Sequence, residues 1–340
     1  MRILVTGAAG FIGFHVAARL LRDGATVLGI DNLNGYYDPR LKRSRLALLE
    51  HARFEFAHLD IADRPAMETL FAREEFSQVI HLAAQAGVRH SIDRPHDYID
   101  SNITGFLHVL EGCRRARVGH LIYASSSSVY GGNTKIPFAV EDRVDRPISL
   151  YAATKKANEL MAHSYAHLFR IPMTGLRFFT VYGPWGRPDM APYKFARAIV
   201  RGDVIDIFNY GRMERDFTYI DDIVEGVVRL SREAPDGYRL FNIGSSAPVP
   251  LMEFVHALEN AFGRRVRKRF GPIEPGDVIR TCADVSALER ATGFRPATRL
   301  AVGVEKFAEW YSDYHMEEIY EHGTRRAGDS RKRAAAFRAS

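Results

Sequence analysis

Apolar residues in the first half of the chain come in short runs, and between the runs they recur every three or four positions. Ile3–Val5, Thr26–Ile30, Phe54–Ala57, Val79–Leu82, Leu121–Ala124 and Met173–Phe178 read as buried strands. Gly13–Arg22, Arg43–His51, Ala66–Arg73, Ile103–Ala116 and Tyr151–Phe169 carry helical spacing. The alternation predicts an α/β fold, a doubly wound parallel sheet with helices on both faces. After Gly183 the alternation loosens, and Pro184, Pro188, Pro192, Pro248 and Pro250 punctuate the chain. Helices still read at Lys194–Arg201, Ile220–Glu233, Leu251–Phe262 and Ala301–Tyr314. The pattern divides the chain into a sheet domain over 1–183 and a smaller α/β lobe over 184–322, with some segments of the lobe returning to the sheet.

The first strand runs into Val5-Thr6-Gly7-Ala8-Ala9-Gly10-Phe11-Ile12-Gly13, and a helix follows. Glycines allow a tight turn and let the backbone approach a pyrophosphate, whose charge the helix N-terminus favours. The spacing is G-x-x-G-x-x-G, and its strand–turn–helix setting makes a Rossmann-type dinucleotide site. Asp31 ends the second strand. A carboxylate there accepts from the ribose hydroxyls and repels a 2′-phosphate, which points to NAD rather than NADP. Asp60 ends the next strand and either reaches the adenine or caps the helix after it.

Tyr151 and Lys155 are four residues apart on a predicted helix and so share a face. An ammonium beside a phenol lowers the phenol pKa, and a phenolate beside a nicotinamide can take a hydroxyl proton during hydride transfer. Upstream, Tyr123-Ala124-Ser125-Ser126-Ser127-Ser128-Val129-Tyr130-Gly131 puts a run of hydroxyls at the C-terminal end of a strand. That is where open α/β sheets bind their ligands.

The glycine triplet, Asp31, His81-Leu82-Ala83-Ala84, the serine run, the Tyr151–Lys155 pair and Arg177-Phe178-Phe179 together resemble the extended short-chain dehydrogenase/reductases over about residues 1–315. Three stretches narrow the resemblance. They are Asp31–Lys42 (DNLNGYYDPRLK), Gln85-Ala86-Gly87-Val88-Arg89, and Arg177–Ala191 (RFFTVYGPWGRPDMA), and they are similar to UDP-glucuronic acid 4-epimerases.

The resemblance implies a residue-by-residue assignment. Tyr151 deprotonates the sugar 4-hydroxyl, Lys155 holds the nicotinamide ribose, and Ser126 shares the proton path. NAD stays bound, lined by Gly7, Gly10, Phe11, Ile12, Gly13, Asp31, Asn32, Asp60, Ile61, Leu82, Ala83 and Ala84. Gln85 faces the sugar, while Ser127, Ser128 and Thr180 restrain the uronate carboxylate. In the second lobe Phe208 stacks on uracil, Arg215 clamps the pyrophosphate, and Asp277 in Pro275-Gly276-Asp277-Val278 meets the ribose. Galactose-type epimerases carry an arginine where this chain has Glu274, so the second phosphate cation is expected from Arg187 or Arg280. The implied activity is 4-epimerisation of UDP-glucuronate to UDP-galacturonate by a homodimer. UDP-glucose 4-epimerase, UDP-glucuronate decarboxylase and a non-catalytic NAD-binding regulator are the other readings.

Composition changes this picture little. The 46% hydrophobic and 26% charged residues are those of a globular protein. Most of the net charge of +6 lies in residues 323–340, which contribute +5. That segment reads as a basic, disordered tail, so the charge does not describe a groove for nucleic acid. Cys113 and Cys282 cannot form a disulfide framework or a zinc site. Neither a leader nor a membrane span is expected, and the cytoplasm is the expected compartment.

Overall fold

β1 (Arg2–Thr6), β2 (Thr26–Asp31), β3 (Phe54–His58), β4 (Gln78–His81), β5 (His120–Ser126) and β6 (Met173–Phe178) lie in one sheet. A seventh strand, Tyr238–Ile243, completes it. In this computed structural model, which describes residues 1–274 and 276–316, the spatial order is Tyr238–Ile243, β6, β5, β4, β1, β2, β3. Every neighbouring pair is parallel. The strand order reverses between β1 and β4, where Thr6 is in register with His81. A crevice opens at the strand C-termini at such a switch point.

Most expected elements form, and the departures have local causes. α1 (Phe11–Arg22) starts at Gly10 and buries Phe11, Phe14, Ala17, Leu20 and Leu21. α2 spans Pro39–Ala47 rather than Arg43–His51, because the Asp38 side chain accepts from the Arg40 amide and Pro39 takes the first turn. α3 (Arg64–Arg73) is capped by Asp63, which accepts from the Ala66 amide. β3 is an edge strand and only partly buried. The helix expected from Ile103 begins instead with a π-turn over Ile99–Thr104 and continues as an α-helix over Gly105–Arg115.

The second half does return to the sheet. Helix Ile220–Ser231 packs on α1 and leads into the strand Tyr238–Ile243, which pairs with β6. The rest builds a smaller lobe around a parallel pair, Val204–Ile207 with Arg267–Phe270, and helices Ala191–Arg201, Leu251–Ala261 and Leu300–Tyr314. Phe217 and Phe254 stack at its centre with ring centroids 4.0 Å apart. The expected tail at 323–340 lies outside the described residues, as does Pro275. Both cysteines are free and buried, and no described helix is long and apolar enough to cross a membrane.

Helix Leu150–Phe169 is capped by Ser149, whose side chain accepts from the Ala152 amide. Its buried stripe is polar: Lys155, Asn158 and Glu159 precede Ala162 and Ala166. Glu159 forms a bidentate pair with Arg177 of β6, at 2.8 and 2.9 Å, and also accepts from Ser125 of β5. The guanidinium lies over the Tyr130 ring. This pair, almost fully buried, fixes the helix on the sheet; breaking one half of such a pair strands a charge in a low-dielectric site.

Candidate active site

One cavity of about 340 Å³ runs along the C-terminal ends of β1, β2, β4 and β5. Its first half is built from backbone. Gly7 has φ +72°, and a Cβ there would sit 2.8 Å from the Ala83 nitrogen. A Cβ on Gly13 would sit 2.0 Å from the Gly7 carbonyl oxygen. No side chain fits either place, which leaves the start of α1, with Phe11 and Ile12, open to an anion. Thr6 Oγ1 accepts from the Leu82 and Ala83 amides and bonds His81 Nδ1 at 2.8 Å, which fixes the Leu82–Ala84 wall. Burial pulls the His81 imidazole down to about 3, so the ring stays neutral.

At the far end of this half Asp31 Oδ1 accepts from the Leu33 amide and pairs with the buried ammonium of Lys42. Asn32 donates to Asp60, whose other oxygen accepts from the Ala62 amide. Asp60 therefore closes a turn that lines the cavity beside Ile61 and is not the cap of α3; that role falls to Asp63.

Tyr151, Lys155, Ser126, Ser127, Ser128, Thr180, Gln85 and Arg187 line the other half of the same cavity. The Tyr151–Lys155 relation differs from the one their spacing suggests. Lys155 donates to the Ala124 carbonyl at 3.0 Å, and burial pulls it down to about 8. Burial pushes the Tyr151 phenol up, opposed by the neighbouring Ser126 hydroxyl and by the charge of Arg187. The i,i+4 geometry is present, but desolvation outweighs the expected depression of the phenol. Ser126 accepts from the Ser128 amide and bonds Ser128 Oγ at 3.1 Å, so these two serines are linked.

Arg187 is held by Asp189, which also accepts from Tyr36. Phe208, Arg215 and Asp277 do not line this cavity. Phe208 and Asp277 gather around Arg89, next to the lining residue Val88: its guanidinium is 4.4 Å from the Phe208 ring and pairs with Asp277 at 3.0 Å. Burial lowers Arg215, and the Asp277 carboxylate opposes that effect. Arg280 pairs with Glu214 at 2.7 Å and stays half exposed. Arg89 thus brings a cation beside Phe208 and Asp277, where Arg280 does not reach.

Residues 3–244 match the NAD dependent epimerase/dehydratase family. The chain belongs to that family. It is 54% identical over 332 residues to an uncharacterized 37.6 kDa protein of Escherichia coli O111:H-, covering 93% of this chain and 99% of the relative. It is 49% identical to a probable UDP-glucuronate 4-epimerase of Rhizobium meliloti (strain 1021), covering 92% and 97%. The UDP-glucuronic acid 4-epimerase of Bacillus cereus, solved with UDP-glucuronic acid and NAD, superposes with a TM-score of 0.86 at 34% identity, over 92% of this chain and all of that one.

Within this epimerase/dehydratase fold the glycine cradle fits a dinucleotide pyrophosphate, and Asp31 lines the same cavity at the end of β2. Sequence reasoning missed the residues that hold the site together. Asn102, in the π-turn, exchanges hydrogen bonds with the Gln85 backbone and reaches Thr154 on the tyrosine helix. Tyr98 donates to the Ala86 and Gly87 carbonyls and packs edge-on to Tyr151. Neither has a spacing that would reveal it; a π-turn at a functional site is visible only in three dimensions.

Lys155 gives a pH prediction. Its folded value near 8 lies below the ordinary 10.5, so between those values the unfolded chain holds a proton that the folded chain has lost. The penalty for burying the charge is complete below pH 8 and is gone by pH 10.5. In protein stripped of NAD, Lys155→Met should raise the melting temperature at pH 7, and the gain should shrink as pH rises. Melts of both proteins at pH 7 and 10 check this; a gain independent of pH would show that the buried charge is not its source.

Proposed function

We propose that this chain epimerises UDP-glucuronate at C4 to UDP-galacturonate with NAD as a resident cofactor. The observation that carries the reading is the single cavity in which the glycine cradle, Tyr151 with Ser126, and the hydroxyls of Ser127, Ser128 and Thr180 meet. Bound NAD supplies the hydride acceptor and, on the return, the hydride donor. Tyr151 takes the proton of the 4-hydroxyl as the C4–H bond breaks and returns it after the 4-keto sugar has turned over. Ser126, whose hydroxyl favours the phenolate, shares that proton path. Lys155 holds the nicotinamide ribose, and its buried ammonium then gains partners. Asp31, Asn32, Asp60 and Ile61 receive the adenosine half, and Gln85 and Arg187 face the sugar. Phe208, Arg215 and Asp277, with Arg89 among them, anchor the UDP end. Arg89 and Arg187 supply the phosphate cations in place of Arg280.

The direct test is to incubate purified protein with UDP-glucuronate or UDP-glucose, with no added NAD, and resolve the products. UDP-galacturonate should form, and Tyr151→Phe should cut turnover by at least ~10²-fold with little change in sugar-nucleotide affinity. Equal conversion of both sugars would replace the uronate reading with the glucose-type one.

A 4-keto uronate is a β-keto acid, and it loses carbon dioxide when the carboxylate bond aligns with the keto π system. Hydroxyls from Ser127, Ser128 and Thr180 restrain the carboxylate without offering a mobile acid. A site whose donors are built for a polar group rejects an analogue lacking it by ~10⁴-fold. Replacing Ser128 and Thr180 together with alanine should erode the preference for UDP-glucuronate and raise the share of UDP-pentose. An unchanged product ratio would take these two residues out of the restraint.

We also read the protein as a cytoplasmic homodimer. Ile99, Leu107, Leu160, Leu168 and Phe169 are exposed apolar residues on two segments that pack against each other, 99–115 and Leu150–Phe169. Light scattering should give twice the chain mass, and Leu160→Glu with Leu168→Glu should halve it. A wild-type monomer would end this reading.

A further inference from the structure

Arg45 of α2 has no exposed surface. One guanidinium nitrogen donates to the Ala9 carbonyl at 2.8 Å and to the Tyr37 hydroxyl at 2.7 Å. The other donates to the Trp185 carbonyl at 2.7 Å and the Gly186 carbonyl at 3.3 Å. All four acceptors are neutral, so no ion pair accounts for burying this charge. What the acceptors share is position. Ala9 lies inside the glycine turn, and Trp185 and Gly186 lie in the turn that leads to Arg187.

The second turn is strained. Trp185 has φ +62°, a left-handed conformation that a bulky residue adopts only where its surroundings impose it. Its ring is wedged among Phe14, Trp310 and Tyr314, and its carbonyl is held by Arg45. Two residues on, Arg187 enters the cavity. A planar fork can bind two groups at a fixed angle, which an ammonium cannot.

We propose that Arg45 is a positioning residue that couples the two halves of the cavity: its fork ties the glycine turn to the strained turn at Trp185, so that seating the dinucleotide sets the place of Arg187. Tyr36 and Tyr37 make the neighbouring ties, Tyr36 to Asp189 and Tyr37 to Arg45 itself. The identity of the sugar ligand rests on the epimerase reading; the coupling does not.

The chain holds two tryptophans, Trp185 and Trp310, and their rings are 5.3 Å apart in this cluster. Tryptophan emission therefore reports on the tied turn. NAD added to NAD-free protein should shift the emission of the wild type. In Arg45→Lys, which keeps the charge and loses the fork, NAD should still bind by calorimetry while the shift falls to less than a quarter. With NAD saturating, and in a Tyr151→Phe background to stop turnover, Arg45→Lys should weaken UDP-glucuronate at least 10-fold and UDP less than twofold.

Several results overturn the proposal: no emission change in the wild type, a full change in Arg45→Lys, or equal loss of UDP-glucuronate and UDP, which marks a merely structural residue. If Arg45→Lys does not fold, Tyr37→Phe removes one acceptor of the fork and should cut the shift by at least a third; an undiminished shift is then the overturning result. If the wild type fails to bind UDP-glucuronate, the epimerase reading falls, and the emission comparison still decides this one.

Discussion

The contact on which the site depends is between two stretches of backbone. The Gly7 carbonyl lies so close to Gly13 that a methyl group on the second would be 2.0 Å from it. Gly7 in turn lies against the Leu82–Ala83 backbone. The two ends of the glycine turn and a wall some 70 residues further along the chain thus meet with no side chain between them, at the point where the strand order reverses. Thr6 stabilises the meeting by accepting from two amides of the facing wall. Removing that hydroxyl would cost the Ala83 amide its acceptor, at about 1–3 kcal/mol, while the Leu82 amide keeps the Thr6 carbonyl. The cavity exists because this approach is tight.

A second layer of polar contacts carries the tyrosine helix. Glu159, Arg177 and Ser125 tie it to β5 and β6, and Asn102 and Asn158 tie it to the π-turn. Apolar packing alone would leave the helix free to slide, since it has no direction. Bidentate and amide hydrogen bonds have one. They hold Tyr151 at a set height above the sheet, where the proposed proton transfer needs it.

The sequence made the sheet legible as far as its strands are apolar runs. It did not show Tyr238–Ile243, whose first half carries Tyr238 and Arg239 and is only partly buried. The shift of α2 came from weighting periodicity over the Asp38–Pro39 start signal. Every residue placed in the cavity by its motif is there, because the glycine turn, Asp31, the serines and the tyrosine helix all end at one edge of the sheet. Phe208, Arg215 and Asp277 lie outside that lining, and Arg89 joins Phe208 to Asp277, contacts across more than 100 residues that no spacing rule encodes. The misjudged Tyr151–Lys155 electrostatics have the same root. Helical spacing gives proximity but not burial, and burial shifts both groups, the phenol up and the ammonium down.

The separation of these two groups of residues makes chemical sense of the proposed reaction. An epimerase must release its grip on the 4-keto ring long enough for the other face to meet the cofactor, yet it cannot let the intermediate escape. A single pocket that bound the whole sugar nucleotide tightly would forbid the rotation. Here the proposed nucleotide anchors, Phe208 and Asp277, lie around Arg89, apart from the cavity that holds Tyr151 and the serines. Binding energy can be spent on the nucleotide while the ring turns in a space lined by short hydroxyls. The same logic demands that the distance between anchor and base not drift during the turn. The helix tied by Glu159 and the loops tied by Asn102 and Arg45 are therefore stiff where the proposed chemistry requires the substrate, and not the protein, to move.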